Sequence, residues 1–316
     1  MTLINGSILI TGGLGQIGNF LVKRLIGFNQ MMYIIDRPEM YNEFKNLFHD
    51  KNNLNFIGVD ISNLNDLKKN VMFKDIEIII HLASNMSNSM DVVNDAIPHM
   101  SSELGGTINL IELCPNLTKI IYTSSMVVYG IPQINPVDEL HPIAPQNLYA
   151  LAKLVTEHFI KRFCEKTKKN FIILRLSSVY GPWRYQNRAI PVFIKSMISG
   201  KRPTIQGNGD TKRDYIYVED VVDVIIKSLQ GNRSGIFNIG TGEPHSLNDL
   251  VETINKILHC SIIPIYNFDA TPGYDFYYNI KKAKNELAFK PKTSFQEGIK
   301  LTIDWYNSQR NGSDVC

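Results

Sequence analysis

An α/β fold built on a doubly wound parallel sheet is what this sequence predicts, and three observations carry the prediction. The apolar run at residues 7–10 leads straight into a glycine-rich turn, TGGLGQIG at 11–18, and then into a helical pattern with Ile17, Leu21 and Leu25 on one face. Later apolar runs, such as IEIIIHLA at 76–83, are almost continuous, as expected of parallel strands covered on both faces. These runs alternate with helical segments at 41–50 and 63–69, which gives repeated βα units.

In chain order, the strand at 7–10 and its glycine turn come first. A turn between strand and helix lets backbone approach a pyrophosphate, whose charge the helix N-terminus stabilises. Gly12 would make the tight turn, Gly15 the close approach and Gly18 the close helix–strand packing. The strand at 31–36 ends in Asp36, placed to accept hydrogen bonds from adenosine ribose hydroxyls. Its charge would repel a 2′-phosphate, which favours NAD over NADP; the neighbouring Arg37 is the feature that could admit a phosphate. Strands at 54–59 and 76–83 follow, and His81 in the latter reads as a structural histidine at a strand end. The polar stretch SNMSNSMD at 84–91 follows the fourth strand, where ligands gather in such sheets. A helix over about 92–114 contains Pro98, which should kink it or delay its start. Its apolar positions, with those of 148–163, suit either a dimer's four-helix seam or packing against the sheet alone.

Further strands are expected at 119–125, 171–179, 213–218 and 235–240, and helices at 190–199 and 221–229. Ser246 with Asp249, and Ser294 with Glu297, have the spacing of capping boxes that open the last two helices. No repeat, low-complexity segment or clean linker divides the chain. The expected organisation is a nucleotide-binding domain over 1–175 and 214–241, interleaved with a smaller substrate-binding domain over 176–213 and 242–316.

Tyr149 and Lys153 are four apart in a helical segment, so both side chains share one face. A free tyrosine, with a pKa of about 10, is a poor base near neutrality, and a lysine ammonium beside it favours the phenolate. Ser125 ends the strand at 119–125, where its hydroxyl could bind the same substrate oxygen. Such a trio can take a proton from a sugar hydroxyl while hydride leaves the carbon. Alone, a Tyr-x-x-x-Lys pair also fits a chance surface pair; the turns and strands around it supply its weight.

Composition narrows the function further. A net charge of +3 with no long basic run argues against nucleic acid. No apolar run approaches the roughly 20 residues that cross a bilayer, and no signal peptide fits before the first strand. The 4 cysteines lack any pairing or metal-ligand spacing and read as free thiols in a reducing cytosol, so no metal and a cytoplasmic location are expected.

Taken together, TGGLGQIG, Asp36, Asp60-Ile61, HLAS, TSSMVVYG, YALAK, LRLSSVYGP, GNGDTKRDYIYVEDVV and FNIGTG resemble the extended short-chain dehydrogenase/reductase family, in its nucleotide-sugar epimerase, dehydratase and reductase group. The resemblance spans residues 5–308. It implies a Rossmann-type domain for NAD and a smaller C-terminal domain for a nucleoside-diphosphate sugar. By position it assigns the pyrophosphate to Gly12, Gly15, Gln16, Ile17 and Gly18, the ribose to Asp36 and the adenine to Asp60 and Ile61. Leu82, Ala83, Ser84, Thr123, Tyr149 and Lys153 fall to the nicotinamide side, and Ser125, Ser178, Arg184 and Arg213 to the substrate, with Arg213 on its phosphates.

The departures from the family pattern are specific. Dehydratases of the family carry acids at the positions of Met126 and Val127, so nothing here protonates a leaving hydroxide. Glu103 stands where many relatives have Asn, Ser178 where UDP-sugar epimerases often have Asn, and Thr271 where an arginine clamps the diphosphate. The expected activity is an NAD-dependent epimerase acting most simply at C4 of a nucleotide sugar, working as a homodimer. A 4-ketoreductase or dehydrogenase of deoxysugar synthesis uses the same trio. A non-catalytic NAD-binding protein is the reading from outside enzymes, and the intact trio counts against it.

Overall fold

The protein is described by a computed structural model covering residues 4, 6–40, 53–70, 73–85, 92–183, 188–269 and 273–312. Its contacts divide the chain into two compact units. The first comprises Met1–Gly130, Pro142–Leu176 and Val222–Phe237; the second comprises Ile131–His141, Ser177–Val221 and Asn238–Cys316.

The first unit is a Rossmann-like parallel sheet. Its strands are β1 (Ser7–Thr11), β2 (Met32–Asp36), β3 (Leu54–Gly58), β4 (Ile76–His81), β5 (Lys119–Ser125) and β6 (Asn170–Leu176), with Gly235–Ile239 as a further edge strand. The order across the sheet is Gly235–Ile239, β6, β5, β4, β1, β2, β3. Every residue of β1 and the first six of β5 are buried, which is why these strands read as unbroken apolar runs rather than alternating ones. The chain runs outward from β1 to β3 and then returns to place β4 on the other side of β1. That reversal leaves a crevice at the carboxyl ends of β1 and β4, where ligands bind in such sheets.

Helices α1 (Gln16–Leu25), α2 (Leu64–Asn70), α3 (Val92–Met100), α4 (Gly106–Leu113) and α5 (Leu148–Thr167) connect these strands. The helix expected over 41–50, and residues 86–91 of the polar stretch, lie outside the described residues. The long helix over 92–114 is not continuous. Pro98 sits inside α3 and does not delay its start; three residues later a π-helical turn, Ser101–Gly105, separates α3 from α4. Proline has no N–H to donate to the helical ladder, and the wider turn absorbs the extra residue while turning Glu103 fully inward.

The apolar run at 171–179 is also two strands. The backbone N–H of Ser177 donates to Ile239 O at 2.9 Å, and Ser178–Tyr180 then pairs with Arg213–Tyr217 in a three-stranded sheet of the second unit. That unit also holds a two-stranded parallel sheet, Thr204–Gln206 with Ile265–Asn267. Its helix Leu247–Leu258 opens on the expected capping box, with Ser246 and Asp249 each accepting the other's backbone N–H. Phe295–Gly312 opens with Ser294 Oγ accepting from Glu297 N at 3.2 Å. No helix among the described residues is long and apolar enough to cross a membrane.

Candidate active site

The glycine turn behaves as its spacing implies. Gly12 has a φ of +67°, and a Cβ there would stand 2.6 Å from Ala83 N, so only glycine fits between β1 and β4. At Gly18 a Cβ would stand 2.3 Å from Gly12 O, which fixes the close approach of α1 to the turn. Gly15 is less crowded: a Cβ there would meet Gly12 O alone, at 3.3 Å, and the residue lines a cavity. Gly15 is also the N-cap of α1, and no side chain caps that end; Gln16 and Ile17 form its first turn. A helix start of this kind suits a pyrophosphate.

A cavity at the carboxyl ends of the strands is lined by Gly12, Gly15, Asp36, Asp60, Ile61, Leu82, Ala83 and Ser84 among others. Asp36 Oδ2 accepts from Leu14 N at 2.8 Å and Oδ1 from Arg37 N at 2.9 Å, which ties the end of β2 to the glycine turn. Burial pushes its carboxyl pKa up despite these two bonds. Asp60 Oδ1 accepts from the backbone and hydroxyl of Ser62, and Ile61 O accepts from Asn109 Nδ2 at 2.9 Å. This lining has the chemistry that a dinucleotide needs. Asp36→Ala removes charge-assisted hydrogen bonds worth about 1.5–3 kcal/mol each and should weaken NAD binding by about tenfold or more. Calorimetric titration checks this, and wild-type protein that prefers NADP to NAD overturns the assignment.

Asn147 caps α5 by accepting from Ala150 N at 2.8 Å, which sets Tyr149 in its first turn and Lys153 in its second. The Lys153 ammonium is only 2% exposed. It donates to Thr123 O on β5 at 2.9 Å and pairs with Glu103 Oε2 at 3.1 Å. It lies 4.7 Å from the centroid of the Tyr122 ring and 5.8 Å from that of Tyr149. Ser125 is the last residue of β5, and its hydroxyl accepts weakly from Val127 N at 3.5 Å, at the start of the 3₁₀ turn Met126–Tyr129. The structure thus brings Lys153 to Tyr149 and to β5, the strand that ends in Ser125.

Further buried polar groups surround this cluster, of which the sequence pointed to His81 as a structural histidine at a strand end. His81 Nδ1 lies 2.7 Å from the Thr11 hydroxyl, and burial lowers its pKa to about 4, so the ring is neutral. Tyr122 donates its hydroxyl to Glu103 Oε2 at 2.8 Å. Arg175 on β6 makes a two-toothed pair with Glu157 on α5, with distances of 2.7–3.2 Å, and lies over the Tyr129 ring. The departure at Glu103 was visible in the sequence, but its partners, 50 or fewer residues away along the chain, come together only through the sheet.

In the second unit, Arg213 lies with its guanidinium 4.4 Å over the Tyr274 ring, and its Nη1 is buried with no hydrogen-bond partner among the described residues. Asp214 beside it is fully buried and accepts from Thr241 N, the Thr241 hydroxyl and Gly242 N, which folds the loop after Ile239 against this strand. Ser178 sits opposite Tyr215 on the neighbouring strand. Arg184 and Thr271 lie outside the described residues.

The model of the NAD-dependent epimerase/dehydratase family matches residues 8–240, well over half of the chain. The chain belongs to that family. A relative from Methanocaldococcus jannaschii, provisionally named UDP-glucose 4-epimerase, is 35% identical over 309 residues, which cover 94% of this chain and 97% of the relative. The bovine dTDP-D-glucose 4,6-dehydratase is 31% identical, over 95% of this chain and 88% of its own. Among solved structures, the UDP-glucuronic acid 4-epimerase of Bacillus cereus in complex with UDP-glucuronic acid and NAD is 28% identical, with a TM-score of 0.83 over 98% of this chain and all of that one. The epimerase/dehydratase family therefore includes relatives of both reaction types at similar distance, and the side chains of this member must separate them.

Proposed function

We propose that this chain is an NAD-dependent nucleotide-sugar epimerase that inverts C4 through a transient 4-keto sugar. The observation that carries the reading is an intact Ser125, Tyr149 and Lys153 beside a segment, 123–130, that contains no acid. Met126 and Val127 occupy the 3₁₀ turn after Ser125 and have no proton to give a leaving hydroxide. Elimination needs such an acid; epimerisation does not.

In this reading the first unit holds NAD and the second the nucleotide sugar. NAD held there would supply the acceptor for a hydride from C4 and, once reduced, the donor that returns it to the opposite face of the keto sugar. The chain's own residues do the rest. Tyr149 takes the C4 hydroxyl proton at its phenolic oxygen and later restores it. Lys153, fixed by Thr123 O, holds a positive charge beside that ring, and Ser125 orients the same substrate oxygen. Arg213, stacked on Tyr274 and with Nη1 left over, is the anchor for the diphosphate in place of an arginine at Thr271. Ser178 and Arg184 are assigned to the sugar side. Assembly as a homodimer is supported by exposed Ile97 on α3 and Leu151 on α5.

The test is to incubate the purified protein with UDP-, dTDP-, GDP- and CDP-sugars without added cofactor and to separate epimers by chromatography. C4 inversion with no net NADH is the expected result. No conversion of any sugar, together with stoichiometric NAD(P)H consumption on a 4-keto-6-deoxy sugar nucleotide, transfers the function to a ketoreductase.

A further inference from the structure

Glu103 takes no part in the mechanism above, yet its carboxylate is wholly buried beside Lys153. The π-turn Ser101–Gly105 carries it there. Oε2 lies 3.1 Å from Lys153 Nζ and accepts the Tyr122 hydroxyl at 2.8 Å, while Oε1 accepts the hydroxyl of Ser84, a residue that lines the cofactor cavity. Burial works against a charge at Glu103, but Lys153, His81, Ser84 and Tyr122 outweigh it and hold its pKa below the usual carboxylate value.

Titratable groups surround Tyr149 and the Lys153–Glu103 pair from several elements. His81 on β4 is neutral, and Tyr122 on β5 is a buried phenol whose pKa burial and then Glu103 push well up. His99 on α3 has its ring centroid 6.5 Å from that of Tyr149. Glu157, further along α5, is cancelled by Arg175. The Lys153 ammonium is cancelled in the same way, by Glu103.

We propose that Glu103 is a positioning residue of this site, which neutralises the charge of Lys153 so that Tyr149 is held as a proton-donating phenol unless a cation binds beside it. The oxidised nicotinamide is such a cation, so the form of Tyr149 that takes a proton belongs to the loaded site. The inference rests on the catalytic reading of Tyr149, but its test does not need a substrate.

The test follows tyrosinate absorbance against pH in cofactor-free protein, with the signal of Tyr149 isolated by subtracting the matching Tyr149→Phe background. Removing the carboxylate charge leaves an uncompensated ammonium near the ring, which favours the phenolate. Glu103→Gln should therefore move the Tyr149-dependent transition to lower pH by about one unit or more, the usual size for a charge within a few ångströms. Glu103→Asp, which keeps the charge, should restore the transition towards its wild-type position. Glu103→Asn removes the same charge with a smaller group, and a folded neutral variant of either kind decides the question. A transition that stays in place in a neutral variant with a normal melting curve overturns the proposal. A shifted transition in protein that turns over no sugar nucleotide upholds it and removes the epimerase reading instead.

Discussion

Tyr149→Phe should lower turnover by about 10²–10⁴-fold, the usual worth of a positioned acid–base group, and leave NAD affinity nearly unchanged. The substitution removes the phenolic oxygen and keeps the ring that packs 5.8 Å from the Lys153 ammonium. The glycine turn and Asp36, proposed to hold the other end of the cofactor, are untouched. Steady-state rates on the sugar nucleotide found by the panel, set beside a calorimetric NAD titration, separate the two effects. Near-normal turnover in the variant would mean that another group moves the proton, and the assigned trio would then be wrong.

Glu157→Ala should destabilise the fold by about 3–5 kcal/mol, the cost of leaving one member of a buried ion pair without its partner. Both side chains of the Glu157–Arg175 pair are at most 3% exposed, so water does little to screen the charge that remains. The pair joins α5 to β6, and α5 is the helix that presents Tyr149 and Lys153. Denaturant unfolding measures the loss. Replacing both partners with apolar residues, Glu157→Leu with Arg175→Met, should recover most of it, because no charge is then stranded. A single variant that unfolds like wild type would show that Arg175 finds other partners, the Tyr129 ring beneath it being the nearest.

Much of the site was legible without coordinates, because its parts are local. The glycine turn is a strand, a turn and a helix in consecutive residues, and each glycine's role follows from the backbone approach that it allows. The same holds for Asp36 at a strand end and for Tyr149 and Lys153 on one helix face. The capping box at Ser246 forms as its four-residue spacing implied. Where local reading failed, a distant partner had changed the outcome. The segment 171–179 reads as one strand, yet it breaks at Ser177, whose N–H donates to Ile239 O, far along the chain. The segment 92–114 has helical periodicity throughout, but a widened turn within it places Glu103 rather than an apolar residue against the sheet.

Fold class and family were thus determined by sequence, since periodicity, turn chemistry and motif spacing are properties of neighbouring residues. The charge balance around Tyr149 and Lys153 was decided only by tertiary structure. Glu103, Tyr122 and Lys153 belong to a π-turn, a strand and a helix, and nothing in their spacing shows that they meet. Burial removes the water that would otherwise screen them, and Glu103 stands about 3 Å from each of the other two. A carboxylate in an unfolded chain would have no influence on Tyr149; folding packs it against Lys153, within reach of that phenol.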